Sequence, residues 1–388
     1  MKKLTIFTLL LLSMTTMMSN VAIVTALPSL KEYFIVVKDI EFYSRLMLTL
    51  PSLVIAVLAP VLGHVIFKFG KKKSTLYALF LFGMSGSAGL YLNSIELLLF
   101  SRAIFGISIA SLMIVTTSLV GDYFKEQERH KFMGYQSAFI AIGGVFFVTG
   151  GGFLADVSWR LPFGIYLISI LLLPLVFKFL VEVPVHNNIQ EEDETPNTKV
   201  YFVYLLAFLY MLIFFILPTQ IPFLLIETFN ASGSLTGAII AIAFLSNAFG
   251  AILFSRLKTK YDFSTIYVFA LFIIGVGFAL IGLVNNVYLF FLTSPILGFG
   301  GGIMMTNVTA WMLSKTHVKK RVKASGYFTS SLFAGQFFSP IVFHPIIAQI
   351  SVQEFFFLIG VFLLVIVIVS AVCLRNKKTK KVKKICPN

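Results

Sequence analysis

The sequence predicts an all-α polytopic membrane protein with twelve transmembrane helices in two pseudo-symmetric six-helix bundles. Three observations support this class. Hydrophobic residues make up 58% and charged residues only 12% of the 388 residues, and the mean hydropathy is +0.93, which is more apolar surface than a soluble chain buries in one core. Long apolar segments fill the chain almost from end to end. The basic residues fall mainly in alternate gaps between these segments.

Each apolar segment is long enough to cross a bilayer. A spanning helix needs roughly 20 apolar residues, because about 30 Å of hydrocarbon must be crossed with every backbone polar group satisfied inside the helix. An outer-membrane barrel would instead show short alternating strands. The predicted spans are 4–28, 44–67, 74–92, 95–120, 132–154, 162–181, 200–221, 235–255, 264–284, 287–313, 324–346 and 355–374.

The first span also resembles a secretory signal, since Met1-Lys2-Lys3 precedes an apolar stretch. No charged residue occurs between Lys3 and Lys31, which is longer than the apolar core of a signal. We therefore predict a retained helix.

The basic residues predict the orientation, because Lys and Arg resist translocation. If both termini are cytoplasmic, all but five of the 31 basic residues fall on the cytoplasmic side. Those predicted outside are Lys31, Lys38, Arg45 and Arg160, and Arg102 alone lies within a span. The sequence thus predicts a multi-pass protein of the plasma (inner) membrane. The net charge of +15 reports this topology, so no nucleic-acid partner is expected.

One long hydrophilic stretch divides the chain. Residues 182–199 carry an acidic run and predict a cytosolic linker between an N-terminal bundle, 1–181, and a C-terminal bundle, 200–375, followed by a basic tail, 376–388. The halves resemble each other weakly: 129–134 matches 321–326, and Gly106 has a counterpart in Gly298. Duplicated halves are typical of transporters that work by alternating access.

A loop between the second and third spans carries a specific pattern. Gly63-His-Val-Ile-Phe-Lys-Phe-Gly-Lys-Lys72 resembles the G-x-x-x-D-[RK]-x-G-[RK]-[RK] loop of the major facilitator superfamily, in its twelve-helix drug:proton antiporter and sugar-efflux branch. The resemblance implies the major facilitator fold and a cytosolic gate. Its matching residues here are Gly63, Lys68, Gly70, Lys71 and Lys72. Phe67 stands where the family has Asp, which leaves Asp122 either as a partner for Lys68 or Lys71 or as an ordinary helix-end carboxylate.

The fourth span contains a second resemblance. Leu98-x-x-x-Arg102-x-x-x-Gly106 is similar to the family's helix-four motif, whose arginine is associated with proton coupling or with an anionic substrate group. An arginine at a helix centre costs about 2.5 to 3.5 kcal/mol on insertion scales, so Arg102 is predicted to face a polar cavity. The alternative is that its side chain reaches the outer surface.

The fifth span matches the antiporter pattern only at its outer end. Phe147-Val148 replaces the Gly-Pro of the family motif, whereas Gly151-Gly152 through Trp159-Arg160 is similar to the tail of the efflux branch. We expect Gly151 and Gly152 to serve helix packing, and the resemblance favours export. Residues 217–223, which hold two prolines, are a candidate outer gate at the end of the seventh span.

Uncharged polar residues within the spans predict a substrate cavity. These residues are Asn20, Asn247, Asn307 and Gln336, joined by Arg102. Such side chains can also simply bond across helices, for about 0.6 kcal/mol on average. A largely apolar pocket with few polar points suits amphipathic compounds.

The proton carrier stays unassigned at the level of sequence. All sixteen carboxylates lie in loops or at span ends, and proton coupling is implied by the resemblance alone. Candidates are Asp122, Asp156, Glu227 and His344, the last with an ordinary interfacial histidine as the alternative.

We predict a secondary active transporter, a monomer, that uses protons to export a small amphipathic or drug-like compound across the lipid bilayer. Uptake, or efflux of a sugar or metabolite, is the alternative on the same fold. A membrane-embedded enzyme or receptor is a different class. The five histidines are scattered and no phosphate-binding loop occurs, so no catalytic residue, metal or cofactor is expected. Cys373 and Cys386 fall at the cytoplasmic end, where disulfides are rare.

Overall fold

The computed structural model describes residues 3–124, 126–182, 198–316 and 321–385. Side chains in these ranges are described except at 60, 63–65, 67, 126–127, 129–131, 198–199, 321–323 and 373–385. All regular structure in the described part of the chain is helical.

The helices follow one another with short connections. The α-helices are α1 (Lys3–Val21), α2 (Leu27–Tyr33), α3 (Ile40–Phe69), α4 (Lys71–Gly86), α5 (Ile95–Tyr123), α6 (Glu126–Val157), α7 (Ile168–Leu171), α8 (Leu173–Phe179), α9 (Thr198–Phe214), α10 (Ile216–Phe223), α11 (Gly233–Lys258), α12 (Phe263–Leu283), α13 (Phe290–Lys315), α14 (Arg321–Ile347) and α15 (Val352–Ile385). The 3-10 helices are Val24–Ala26, Ser87–Leu90, Leu161–Leu167 and Val287–Leu289, and a π-helical turn covers Leu224–Thr228.

Eleven helical segments in the described ranges are long and apolar enough to cross a membrane. The remaining predicted span, 74–92, corresponds to α4 and the 3-10 helix Ser87–Leu90. α4 has only 16 residues, but with the more extended 3-10 turn the pair rises roughly 32 Å. The predicted all-α polytopic class is therefore confirmed.

The chain forms two compact units. The first comprises the described residues within Met1–Ala241 and Val318–His344, and the second those within Ile242–His317 and Pro345–Asn388. Most of the predicted linker 182–199 lies outside the described residues, so the division of the chain at that linker stays a prediction.

In the first unit α5 packs between α3 and α4, and α1 packs against α5 and α6. Glycines allow the backbones to approach closely, as is common in membrane helices. A Cβ added at Gly106 of α5 would lie 2.7 Å from the carbonyl oxygen of Pro51 on α3. In the second unit α12 packs against α13 and α15. There Gly298 and Gly302 of α13 lie against backbone carbonyls of α11.

The helices of the first and the seventh predicted spans are both interrupted. α1 ends at Val21, and after a 3-10 turn the chain continues as α2. α9 ends at Phe214, and the chain continues as α10 and then the π-helical turn. Leu-Pro-Ser at 27–29 follows the first break and Leu-Pro-Thr at 217–219 follows the second. Proline lacks a backbone donor, so these positions tolerate an interrupted helix.

The first break is buried. Residues 22–27 are each at most 1% exposed. Irregular backbone at membrane depth occurs only where it is buried in protein or lines a cavity. The break is thus a specific internal feature of the first unit.

Candidate functional site

Two predicted cavity residues meet beside the first break. Gln336 of α14 donates a hydrogen bond from Nε2 to Oδ1 of Asn20 on α1, over 3.1 Å. Asn20 in turn donates from Nδ2 to the backbone oxygen of Thr16, over 3.0 Å. Gln336 is only 1% exposed. The pair therefore joins two helices that are 316 residues apart in sequence.

The surroundings of this amide pair combine apolar side chains with unused hydrogen-bonding capacity. The hydroxyl of Thr25, within the break, is buried without a hydrogen-bond partner among the described residues. Met14 and Met17 of α1 lie against Gly143 and Gly144 of α6. Methionine adapts its shape readily to different apolar contacts.

The other two predicted amides belong to the second unit. Asn307 of α13 is fully buried and donates from Nδ2 to the backbone oxygen of Phe263, over 3.1 Å. Its Oδ1 has no hydrogen-bond partner in the described part of the chain. Asn247 of α11 is half-buried, and its backbone carbonyl lies against Gly302. Their role in a substrate cavity stays a prediction.

Arg102 lies inside the first unit, at the end of α4. It is 1% exposed, and Nη2 donates to the backbone oxygens of Ser85, over 3.0 Å, and of Gly86. Its guanidinium carbon lies 4.7 Å from the ring centroid of Phe105, with two further rings within cation–π distance, Phe163 and Tyr166. The side chain thus caps α4 at the point where the 3-10 helix begins. Contact of Arg102 with substrate stays a prediction.

The basic loop is organised around a turn that requires glycine. Gly70 has a φ of +91°, which L side chains rarely adopt. Immediately after it the backbone N–H groups of Lys71 and Lys72 donate to the carboxylate of Glu182, over 2.7 and 2.9 Å. Glu182 therefore caps the N-terminus of α4, which the sequence did not indicate.

Asp122 forms an ion pair with Lys71. Of the two lysines proposed as its partner, Lys71 is thus the one in contact, while Lys68 is exposed. The surroundings of Gly63 and the side chain of Phe67 lie outside the described residues. The use of this loop as a gate stays a prediction.

The fifth-span glycines lie at close backbone contacts. Gly151 of α6 lies against the carbonyl of Ala22 in the first break, and Gly152 lies against the carbonyl of Gly233. The carboxylate of Asp156 accepts hydrogen bonds from the backbone N–H groups of Gly233 and Ser234, at the start of α11. A carboxylate there also interacts favourably with the helix dipole.

A polar cluster that sequence analysis did not predict surrounds Arg45. Sequence analysis assigned Arg45 to the outside because positive charge was used only as a topology signal, but α3 begins at Ile40 and the side chain is 2% exposed. Nε donates to Oε1 of Gln220, over 3.0 Å, and Nη1 donates to the backbone oxygen of Glu41, over 3.1 Å. Nη1 also lies 3.5 Å from Nδ1 of His344.

Lys31 extends this cluster with two ion pairs. Its Nζ lies 2.6 Å from Oε1 of Glu41 and 3.1 Å from Oε1 of Glu227. We call Lys31, Glu41, Arg45, Gln220, Glu227 and His344 the Arg45 cluster. It joins α2, α3, α10, the π-helical turn and α14 at the end of the unit that the charge pattern predicts outside. The sequence had marked Glu227 and His344 as proton-carrier candidates and Gln220 as part of the candidate outer gate 217–223. For Glu41 and Arg45 the available signal is their spacing at i and i+4.

An all-helical chain with membrane-length segments, corresponding helix breaks and buried polar groups has the architecture of a multi-pass membrane transporter. The model of the Major Facilitator Superfamily matches residues 9–202 and 203–385. The chain belongs to this superfamily, and it is a multi-pass membrane protein.

Proteins similar in sequence to this chain include drug-resistance proteins. Over 161 residues the chain is 30% identical to multidrug resistance protein 1 of Bacillus subtilis, covering 42% of this chain and 41% of that protein. It thus spans about two fifths of that relative. The tetracycline resistance protein, class B, of Escherichia coli is 24% identical over 334 residues, which is 83% of each chain.

A solved structure shares the fold. The inward-open xylose transporter of Escherichia coli superimposes with a TM-score of 0.74 at 13% identity, covering 94% of each chain. This likeness shows the major facilitator fold.

Proposed function

We propose that this transporter exports a small amphipathic or drug-like compound in exchange for protons, by alternating access, with both termini in the cytoplasm and a monomer as the working unit. The names of the multidrug and tetracycline resistance relatives support the substrate class and the direction. Proton exchange is supported by the resemblance of the loop at 63–72 to proton-coupled antiporters.

The observation that carries the proposal is the break between α1 and α2, with the Asn20–Gln336 pair beside it. Interrupted helices in corresponding positions of two halves are the best structural pointer to a transporter's binding site. Here the first and the seventh predicted spans are both interrupted, as is the sixth, 162–181. Asn20 is the last residue but one of α1, just before the first break, and Gln220 lies in α10, just after the second break. A polar side chain therefore lies beside each break.

The chemistry of this region favours an uncharged or amphipathic ligand. Asn20, Gln336 and the hydroxyl of Thr25 are neutral groups that both donate and accept hydrogen bonds. Met14 and Met17 supply adaptable apolar surface. An apolar pocket with few polar points orients a ligand without demanding one exact shape.

Transport by purified protein in liposomes tests the proposal. With an acidic lumen, a proton-exchanging exporter in the inverted orientation accumulates ethidium or tetracycline, because each proton leaving the lumen exchanges for a substrate molecule entering. The double variant N20A/Q336A should lower accumulation by about tenfold or more, since each lost hydrogen bond to substrate is worth about 0.5 to 1.5 kcal/mol.

The matched control is Q349A, which removes an exposed amide after α14. Export at the wild-type rate by N20A/Q336A would exclude the amide pair from the binding site. Accumulation that requires an alkaline lumen would instead identify uptake.

A further inference from the structure

We propose that His344 is the proton-binding group of an outer latch, in which Arg45 holds the first unit closed until the imidazole is protonated. This inference rests on the proposed function, because a latch matters only in a transporter that opens at this end. It concerns the opening step alone and does not depend on the identity of the substrate.

The latch consists of contacts that converge on one side chain. Arg45 of α3 bonds to Gln220 of α10 through Nε and approaches His344 of α14 through Nη1. Its guanidinium carbon also lies 4.4 Å from the ring centroid of Phe223, at the end of α10. Three helices from distant parts of the chain are therefore held by one buried guanidinium.

The helix that Arg45 holds is a short one next to a break. α10 has eight residues and contains Pro218 and Pro222, and Gln220 lies between these two prolines. Short segments beside proline breaks can change their direction by adjusting few backbone angles. Release of the Arg45–Gln220 bond would thus free α10 without unfolding a long helix.

The imidazole has the right atom in the right place to sense protons. A guanidinium has only donors, so Nη1 of Arg45 can bond to Nδ1 of His344 only when that nitrogen carries a lone pair. Protonation at Nδ1 removes this acceptor. It also places the positive charge of the imidazolium next to the positive charge of the Arg45 guanidinium. Histidine is the side chain that ordinarily changes charge between about pH 5 and 8.

Charged groups of both signs surround His344. On α3 and just before it, Arg45, Glu41 and Asp39 all lie close enough to act on the ring by charge. Lys31 of α2 and Glu227 of the π-helical turn face the same cluster. Within the Arg45 cluster, two cations stand against two carboxylates, and Asp39 adds a further carboxylate beside it. The effect of a proton on His344 is therefore local, because it places a positive charge 3.5 Å from Nη1 of Arg45.

Dipolar electron paramagnetic resonance tests the latch without any substrate. Spin labels at V36C and T228C, in a chain that also carries C373S and C386S, report on the α2–α3 connection and the π-helical turn; both label sites are exposed. When the pH is lowered from about 8 to about 5.5, the population with the longer distance between the two labels should rise on the order of tenfold. This is a typical size for ligand-linked conformational coupling.

Two variants separate the roles of the residues. H344N keeps an acceptor near the position of Nδ1 but cannot be protonated, so it should show the short distance at both pH values. R45Q removes the latch and should show the longer distance at both. H64Q changes a histidine near the other end of α3 and should behave as wild type.

Several results would overturn the proposal. A wild-type distribution that does not change with pH excludes a proton-sensitive latch. A shift that persists in H344N but disappears in E227Q assigns the proton to the carboxylate instead. Absence of substrate export with an intact, His344-dependent shift would contradict the proposed function while leaving the latch in place.

Discussion

Two arginines of the first unit, Arg102 and Arg45, are buried among the described side chains, and they differ in the kind of partner they have. Arg102 bonds to backbone oxygens at the end of α4 and lies among aromatic rings. Arg45 bonds to side chains of α10 and α14, an amide and an imidazole, and to a backbone oxygen one turn earlier in its own helix. A buried charge is costly unless it is fully paired. Backbone partners fix a structure, whereas side-chain partners on several helices can exchange, so we expect Arg102 to be static and Arg45 to move.

Substitution of Arg102 tests this distinction. R102A leaves the carbonyls of Ser85 and Gly86 without their donor, so the free energy of unfolding should fall by about 2 kcal/mol, the usual cost of unsatisfied buried groups. R102K retains a positive donor and should recover part of that loss. Thermal unfolding in detergent, together with export from liposomes, measures both effects. Wild-type stability combined with lost export in R102A would instead support contact with substrate.

At the scale of elements, glycines set how closely α6 can approach α11. A Cβ at Gly152 would overlap the carbonyl of Gly233, whereas a Cβ at Gly150, two residues earlier, would meet nothing within 4 Å. Backbone atoms cannot move aside as a side chain can. The packing of α6 against the start of α11 therefore depends on residue size at Gly152 and not at Gly150.

We predict that G152A lowers the free energy of unfolding by about 1 to 3 kcal/mol, the usual cost of overpacking. G150A should be neutral or stabilise by up to about 1 kcal/mol, because alanine is the better helix former. Thermal denaturation of the two variants, compared with wild type, measures the difference. Equal stability of G152A and G150A would mean that the contact with Gly233 is not rigid.

Element boundaries show what hydropathy can and cannot predict. The apolar runs predicted the spans, because lipid selects apolar composition over roughly 20 residues. Hydropathy did not predict that α4 ends at Gly86, since that end depends on Arg102, a residue of another helix. The breaks had a local signal in Pro28 and Pro218, but whether proline ends, bends or merely begins a helix depends on the surrounding packing.

The candidate site could likewise be predicted only in part from the sequence. Polarity within apolar spans identified Asn20 and Gln336, yet their contact across 316 residues requires the fold. Arg45 was assigned to the exterior because positive charge was used only as a topology signal. The order of charges along the sequence does not show that a cation is buried and paired with side chains of other helices, because those partners are distant in sequence.

At the scale of the whole molecule, the proposed alternating access requires that contacts between distant parts of the chain break in every cycle. The ion pair between Lys31 and Glu227 joins α2 to the π-helical turn, and both elements follow the helix breaks of the first and seventh segments. This partly exposed ion pair contributes little to the free energy of unfolding, about 0 to 1 kcal/mol. Weak contacts suit a closure that must open repeatedly.

A reversible cross-link at this contact should stop transport. In a chain carrying C373S and C386S, the variant K31C/E227C would be bridged by a thiol-reactive reagent with a cleavable spacer. Export from liposomes should fall to the level of empty liposomes after bridging and return after cleavage of the spacer, because the bridge replaces a contact that has to separate. K31C and E227C alone, treated with the same reagent, control for modification of single residues. Undiminished export by the bridged protein would show that α2 and the π-helical turn stay together throughout the cycle, and the opening would then have to occur elsewhere.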